Sequence, residues 1–269
     1  PMTHPDLTIV SACGHNNGSG AVPSILRSMK ELPGSRGLLI SLEPPPDLPR
    51  EIQWKRCHNI DYLGYSLFMM HSLYAYIDTA YCLVVQDDGW VLNGKNFTPD
   101  YYQYDYIGAP SHCAFGTGNL YLKFAWTQAQ EKVSVVQNGG FSLRSKRFLE
   151  ACNKHGIMHL NSNEIHGWNE DAQLSAILKP VLESYGYRYC PMEVAKYFSM
   201  EYVGHGFHEP GFDFGKLVGH HAQTRKLVTE NHIVVPADPT QAHGEVGFLG
   251  WLEDCGYTVE YRYAPAIQA

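Results

Sequence analysis

The sequence predicts an α/β protein: a mostly parallel sheet flanked by helices. Three observations carry that expectation. Apolar runs of strand length alternate with helical periodicities through the first third of the chain. Each run closes on a glycine, proline or acidic turn signal, as strands do when their ends face a ligand edge. The 269 residues are 44% hydrophobic and 17% charged, so the chain can bury a sizeable core.

The elements follow in order. Leu7 to Ala12 (LTIVSA) is a strand that breaks into a polar turn, Gly14 to Gly18. Val22, Ile25, Leu26, Met29 and Leu32 then form one helical face. Gly37 to Leu42 (GLLISL) is a second buried strand, stopped by Glu43 and three prolines that cannot continue a ladder. From Asp61 to Asp78 the apolar positions Leu63, Leu67, Met70, Leu73 and Ile77 predict one long amphipathic helix, which delivers the chain to a third strand, Tyr81 to Val85. The second half is richer in histidine, glycine and aromatic residues. Its one clear helical pattern runs from Asp171 to Tyr185, with a strand-like segment at Tyr187 to Cys190. The stretch from Tyr202 to Phe214 reads as loop, and the tail after Asp238 is poorly patterned. No internal repeat or low-complexity tract interrupts the chain. The simplest organisation is a nucleotide-binding half, 1–110, fused to a substrate-binding half, 111–269, in one compact unit with a soft boundary near Pro110.

Composition excludes several functions. The net charge is −7, and the densest basic cluster is only Arg144, Lys146 and Arg147, so a nucleic-acid backbone is not an expected partner. No apolar stretch approaches the roughly 20 residues that span a bilayer, and no basic segment leads into an apolar one at the N-terminus. The seven cysteines are odd in number, widely spaced and never C-x-x-C, which points to a reduced, cytoplasmic setting rather than a disulfide scaffold or zinc site. Peripheral association with a lipid-linked acceptor stays open, since a small apolar loop leaves no compositional trace.

Four motifs carry chemistry. Gln86-Asp87-Asp88-Gly89 places two carboxylates at a strand end. Hard cations such as Mg²⁺ and Mn²⁺ take oxygen ligands, so the pair suits a divalent metal on a diphosphate; the bland alternative is a simple turn. Asn138-Gly139-Gly140 follows an apolar run, where glycines permit close approach of a ligand and Asn138 offers donor and acceptor; the alternative is a hairpin. His166 to Asp171 (HGWNED) opens the later helix. A carboxylate there suits a general base, with Trp168 as a face for a sugar ring, while acids in a first turn also simply complement the helix dipole. Last, His220-His221 with Arg225 and Lys226 forms a metal-and-phosphate cluster, against the alternative of surface or structural histidines.

In this order Q-D-D-G at Gln86 to Gly89, Y-D-Y-I-G-A-P at Tyr104 to Pro110, N-G-G-F-S-L-R-S at Asn138 to Ser145 and N-E-D at Asn169 to Asp171 resemble a family of bacterial and viral glycosyltransferases of the GT-A fold, in a branch known mostly as a domain of unknown function. The resemblance covers roughly residues 60 to 225. It implies a nucleotide-sugar donor, a glycan or glycoconjugate acceptor and a divalent metal, Mn²⁺ or Mg²⁺. Asp88 falls where the last acid of the D-x-D motif sits, while Gln86 departs from the first acid, which puts strict metal dependence in question. The resemblance further implies a histidine ligand, for which His220 is preferred to His221, an inverting base at Asp171 with Glu170 as its acceptor-binding neighbour, and a sugar pocket lined by Asn138, Gly139 and Gly140. His15, Asn16 and Glu43 would meet the nucleoside, Gln86 and Asp87 the donor, and Arg225 the departing diphosphate. Two rivals remain: a sugar nucleotidyltransferase, disfavoured because Gly14 to Gly20 lacks Lys or Arg for a triphosphate, and a non-catalytic carbohydrate- or nucleotide-binding module of the same fold.

Overall fold

A computed structural model describes residues 2–116, 121–123, 133–161, 167–204, 206–242 and 244–263. His166, which opens the third motif, lies outside the described residues. The first half builds as its periodicity dictates. β1 (Leu7–Cys13), β2 (Arg36–Ser41), β3 (Ile52–Arg56) and β4 (Tyr81–Val84) stand in the order β3-β2-β1-β4, all parallel. After the short β5 (Gly89–Val91), the long β6 (Tyr106–Gly116), β7 (Tyr121–Lys123) and the 13-residue β8 (Val133–Ser145) extend the sheet to seven strands, β3-β2-β1-β4-β8-β6-β7. β8 runs antiparallel to both β4 and β6.

Both faces are covered, which is why β1 and β4 read as continuous apolar runs rather than alternating ones. On one side Leu7, Ile9, Leu39 and Leu83 pack with Ile25 of helix α1 (Val22–Glu31). On the other, Val10, Leu38, Ile40 and Val84 pack with Phe68 and Met69 of helix α2 (Tyr62–His71). Asp61 caps α2 by accepting a hydrogen bond from Gly64 N at 2.7 Å. Truncating one of these buried leucines to alanine costs about 2–5 kcal/mol.

The structure departs from the sequence pattern in four places. The predicted helix to Asp78 ends at His71 and continues as a 3₁₀ turn, Leu73–Tyr76. The predicted helix from Asp171 to Tyr185 is broken into a turn at Glu170–Ala172, a π segment at Gln173–Ile177 and a helix at Lys179–Ser184. Pro180 has no N–H to give the preceding turn, and Leu178 N instead reaches back five residues to Gln173 O at 2.7 Å. Asn138-Gly139-Gly140 is no hairpin but lies inside β8. The tail after Asp238 does have structure: a helix at Glu245–Asp254 packs on a sheet of β11 (Lys226–Leu227), β12 (His232–Val235) and β13 (Thr258–Tyr261). β9 (Ser199–Met200) and β10 (Gly219–His221) join β5 in a third sheet, order β5-β10-β9. Pro110 falls within β6. Among the described residues no helix is long and apolar enough to cross a membrane.

Candidate active site

The carboxyl ends of the parallel strands open onto two adjoining cavities. One, of about 460 Å³, is lined by the β1 exit, including Gly14, His15 and Asn16, and by Gln86 and Asp87 after β4. The other, of about 370 Å³, is lined by Gln86, Asp88, Asn138, Gly140, Glu170, Asp171, Glu201 and His221 among others. Tyr62, Tyr65 and Gln86 line both, so the cavities meet at the α2 face. Glu43 is exposed and lines neither, although Leu42 N bonds Asn16 O at 3.3 Å beside it.

The acidic pair is a turn and a charged site at once. Gln86 and Gly89 exchange backbone hydrogen bonds, Gln86 N to Gly89 O at 3.3 Å and Gly89 N to Gln86 O at 3.1 Å. That closure sends the two carboxylates to different partners. Asp87 Oδ2 accepts from Lys226 Nζ at 2.8 Å. Asp88 is buried, and His221 Nε2 lies 3.1 Å from its Oδ1 and 3.0 Å from Gln86 Oε1. Burial alone would raise the Asp88 carboxyl, but His221 and then Lys226 outweigh it and hold the group below its ordinary range. Burial would likewise lower His221, and the Asp88 charge reverses that and raises it.

His220 takes no part in this contact. On β10 it pairs with Trp90 while His221 pairs with Gly89, so the two imidazoles leave opposite faces of the strand. His220 is fully buried against Trp90, ring centroids 4.0 Å apart, and its Nδ1 meets Arg225 Nη1. Burial, then Arg225 and His221, keeps it neutral by lowering its pKa well below the usual value. Arg225 is itself fully buried, donating through Nε to Glu245 Oε1 at 2.5 Å and through Nη2 to the Glu201 carbonyl at 3.0 Å. The structure therefore brings His221 and Lys226 to the acidic turn and turns His220 and Arg225 into the core behind it.

The glycine pair of β8 is there because two neighbours arrive at contact distance. A Cβ on Gly140 would lie 2.2 Å from His221 Nε2, and one on Gly139 would lie 2.2 Å from Glu170 Oε1. Asn138 donates from Nδ2 to Glu201 Oε1 at 3.1 Å and accepts Gly140 N on Oδ1 at 2.7 Å. Across the cavity, neighbouring acids diverge. Glu170 is buried in an ion pair with Arg144, Oε1 to Nη2 at 2.8 Å. Asp171 accepts Ala172 N on Oδ1 at 2.7 Å and Gly139 N on Oδ2 at 3.2 Å, yet burial, reinforced by Glu170, pushes its carboxyl up to about 6. Trp168 is exposed; the aromatic rings lining the cavities include Tyr62 and Tyr65 instead.

Residues 52–211, more than half of the chain, match the model of a family described as Protein of unknown function (DUF5672). This protein belongs to the DUF5672 family. The matched segment carries Gln86 to Asp88, Asn138 to Gly140, Glu170, Asp171 and Glu201, whereas His15 precedes it and His221 and Lys226 follow it. The DUF5672 segment thus supplies most of the second cavity, and flanking sequence completes both. No curated protein matches the chain. Among solved structures it is similar to a galactosyltransferase LgtC in complex with donor and acceptor sugar analogs, at 12% identity and a TM-score of 0.48, covering 92% of this chain and 95% of that one. An active-site mutant of LgtC gives 12% identity, the same coverage and a TM-score of 0.49.

Three cavity residues have no distinct sequence signal. Glu201 sits in an unpatterned stretch, and Tyr62 and Tyr65 read as ordinary helix positions. The place of His221 follows from strand register, which only the structure shows: the histidine paired with Trp90 follows that ring into the core, which leaves its neighbour for the cleft.

Proposed function

We propose that this DUF5672 protein is a glycosyltransferase of the GT-A type that moves a sugar from a nucleotide-sugar donor to an acceptor hydroxyl. The observation that carries the reading is the junction at Gln86 to Asp88, where a cavity at the β1 and β4 strand ends meets a second, carboxylate-walled cavity. Nucleoside fits the first, beside His15 and Asn16. The diphosphate crosses the acidic turn, and the sugar enters the second beside Asn138 and Gly140.

The donor set at the turn suits a divalent cation. Asp88 Oδ1, Gln86 Oε1 and His221 Nε2 stand together, with the imidazole nitrogen 3.1 Å from the one and 3.0 Å from the other, giving two oxygens and a nitrogen. Among the described residues no group of three or more His, Cys, Asp or Glu is arranged to hold a metal, because here the third donor is an amide. Asp88, Gln86 and His221 would hold the ion, which would neutralise charge on the diphosphate. His221 takes the place that the resemblance gives to His220.

Asp171 is the base. It takes the acceptor proton as the acceptor oxygen bonds to the anomeric carbon, and the bond from that carbon to the diphosphate breaks with its electron pair going to phosphate. A carboxyl near 6 is ionised at neutral pH and still basic enough to accept a proton, so general-base help of about 10²- to 10⁴-fold is available. Lys226, half-exposed and paired with Asp87 at the acidic turn, takes the role expected of Arg225. Residues 1–110 then act chiefly on the donor and 111–269 on the acceptor, with β10 and β11 contributing across that division.

The test is thermal stabilisation by nucleoside diphosphates and nucleotide sugars, each with Mn²⁺ or with a chelator. A ligand at about 100 times its dissociation constant adds roughly 2.7 kcal/mol. Stabilisation by one nucleotide family that weakens with chelator is expected. Stabilisation without turnover of any donor would favour the non-catalytic module, and no response to any nucleotide refutes the donor site.

A further inference from the structure

Among the described residues, two carboxylate oxygens on the walls of the second cavity have no hydrogen-bond partner: Glu170 Oε2 and Glu201 Oε2. Glu170 is 5% exposed, its other oxygen already bound to Arg144. Glu201 has its other oxygen on Asn138, and Ser111 also bonds its carboxyl. A buried carboxylate oxygen left unpaired is costly, so each is open to a donor that a bound ligand brings. The rest of the lining agrees. Asp88 and Asp171 add two more carboxyl groups, the lining includes no Lys or Arg among the described residues, and Arg144 behind the wall is committed to Glu170.

The geometry points to a neutral, hydroxyl-bearing sugar as the group held in this cavity, with Glu201 accepting one hydroxyl and Glu170 another, and with carboxylated sugars excluded. This rests on the donor reading above and adds the class of sugar. A pyranose presents O–H donors in several directions and satisfies both free oxygens. A uronic acid would bring a like charge against Asp171 and the free oxygens of Glu170 and Glu201; among the described residues the lining offers it no guanidinium or ammonium, and the one raised imidazole, His221, already faces Asp88.

The experiment is calorimetric titration of the full chain with matched donors: UDP-glucose against UDP-glucuronate and GDP-mannose against GDP-mannuronate, with UDP and GDP alone as references. Glu201→Gln is the variant, because replacing Glu170 would strand Arg144 in the core. The expected result is that one nucleoside diphosphate binds, its neutral-sugar donor binds about 100-fold more tightly than its uronate, and Glu201→Gln lowers neutral-donor affinity roughly 10-fold and narrows the preference while affinity for the bare diphosphate holds. A purely structural Glu201 would weaken diphosphate and donor together and leave the preference intact, which overturns the assignment. Uronate binding within about threefold of the neutral donor also overturns it, leaving the donor site standing. If neither UDP nor GDP nor any of the four donors binds, and the wider nucleotide panel gives no stabilisation, the donor reading fails and takes this inference with it.

Discussion

Replacing Asp171 with asparagine separates catalysis from folding. In the native protein this carboxyl is pushed from 3.8 up to about 6, so its ionised form is disfavoured by folding. At about 1.36 kcal/mol per pH unit the burden is on the order of 3 kcal/mol at neutral pH. The sign follows from the direction: a carboxyl raised by folding favours the native state below its unfolded value, and the advantage is lost as pH climbs towards 6. Asparagine removes the burden but brings its own cost. Its single carbonyl oxygen can accept from Ala172 N or from Gly139 N but not both as now, and an unsatisfied buried donor costs about 1–3 kcal/mol. The two effects roughly cancel, so the melting temperature at pH 7 should move by only a few degrees. Turnover should fall about 10²- to 10⁴-fold. Release of nucleoside diphosphate from the best-bound nucleotide sugar measures the second, and scanning calorimetry the first. A variant that melts like the parent and still turns over at more than a third of its rate would refute the assignment of the base.

The same carboxyl sets an acid limb: kcat/KM should drop about tenfold per pH unit below about 6, and a profile flat to pH 4.5 would contradict it. Glu170→Gln, one residue away, should instead destabilise by about 3–5 kcal/mol because Arg144 loses its buried partner, visible as a lower denaturant midpoint. Gly140→Ala puts a methyl 2.2 Å from His221 Nε2, so Mn²⁺-dependent stabilisation by nucleotide should vanish while the apo protein stays folded. Lys226→Ala should weaken nucleoside diphosphate binding about 10-fold and flatten its salt dependence, whereas Arg225→Ala should chiefly lower stability, by stranding Glu245 in the core.

The legible part of the fold is the part whose burial is periodic. β1, β2, β4, α1 and the start of α2 follow from apolar spacing because each strand is buried on both faces and each helix on one. β3 escaped: Ile52–Arg56 (IQWKR) is an edge strand with only Ile52 fully buried, so its sequence has no run to notice. The helix at Glu245–Asp254 was hidden by polar residues and two glycines among Phe248, Leu249 and Leu252. At the site, Gln86 to Asp88, Asn138 to Gly140 and Asp171 were visible because each sits where a backbone constraint shows in sequence: a strand end, a glycine pair, a helix start. Glu201 was not, because its place beside Asn138 depends on how β9 reaches β10, a contact made across 63 positions.

That distinction explains why adjacent residues of one motif divide so sharply. Glu170 and Asp171 are consecutive acids opening one helical turn, and helix-dipole reasoning treats them alike. What separates them is β8. Arg144, two residues past Ser142 on that strand, is held by Ser142 Oγ and reaches Glu170, so Glu170 spends one oxygen holding the turn against the sheet. Asp171 meets the same strand only through a backbone N–H, that of Gly139, and therefore keeps the lone pairs that a base needs. The glycine pair serves both contacts, since a side chain at position 139 would strike Glu170 and one at position 140 would strike His221. Carboxylate, imidazole and base are thus set around a single bare stretch of strand. Any substitution that adds bulk there should cost metal binding at one end or the Arg144 ion pair at the other before it touches the fold of the parallel strands.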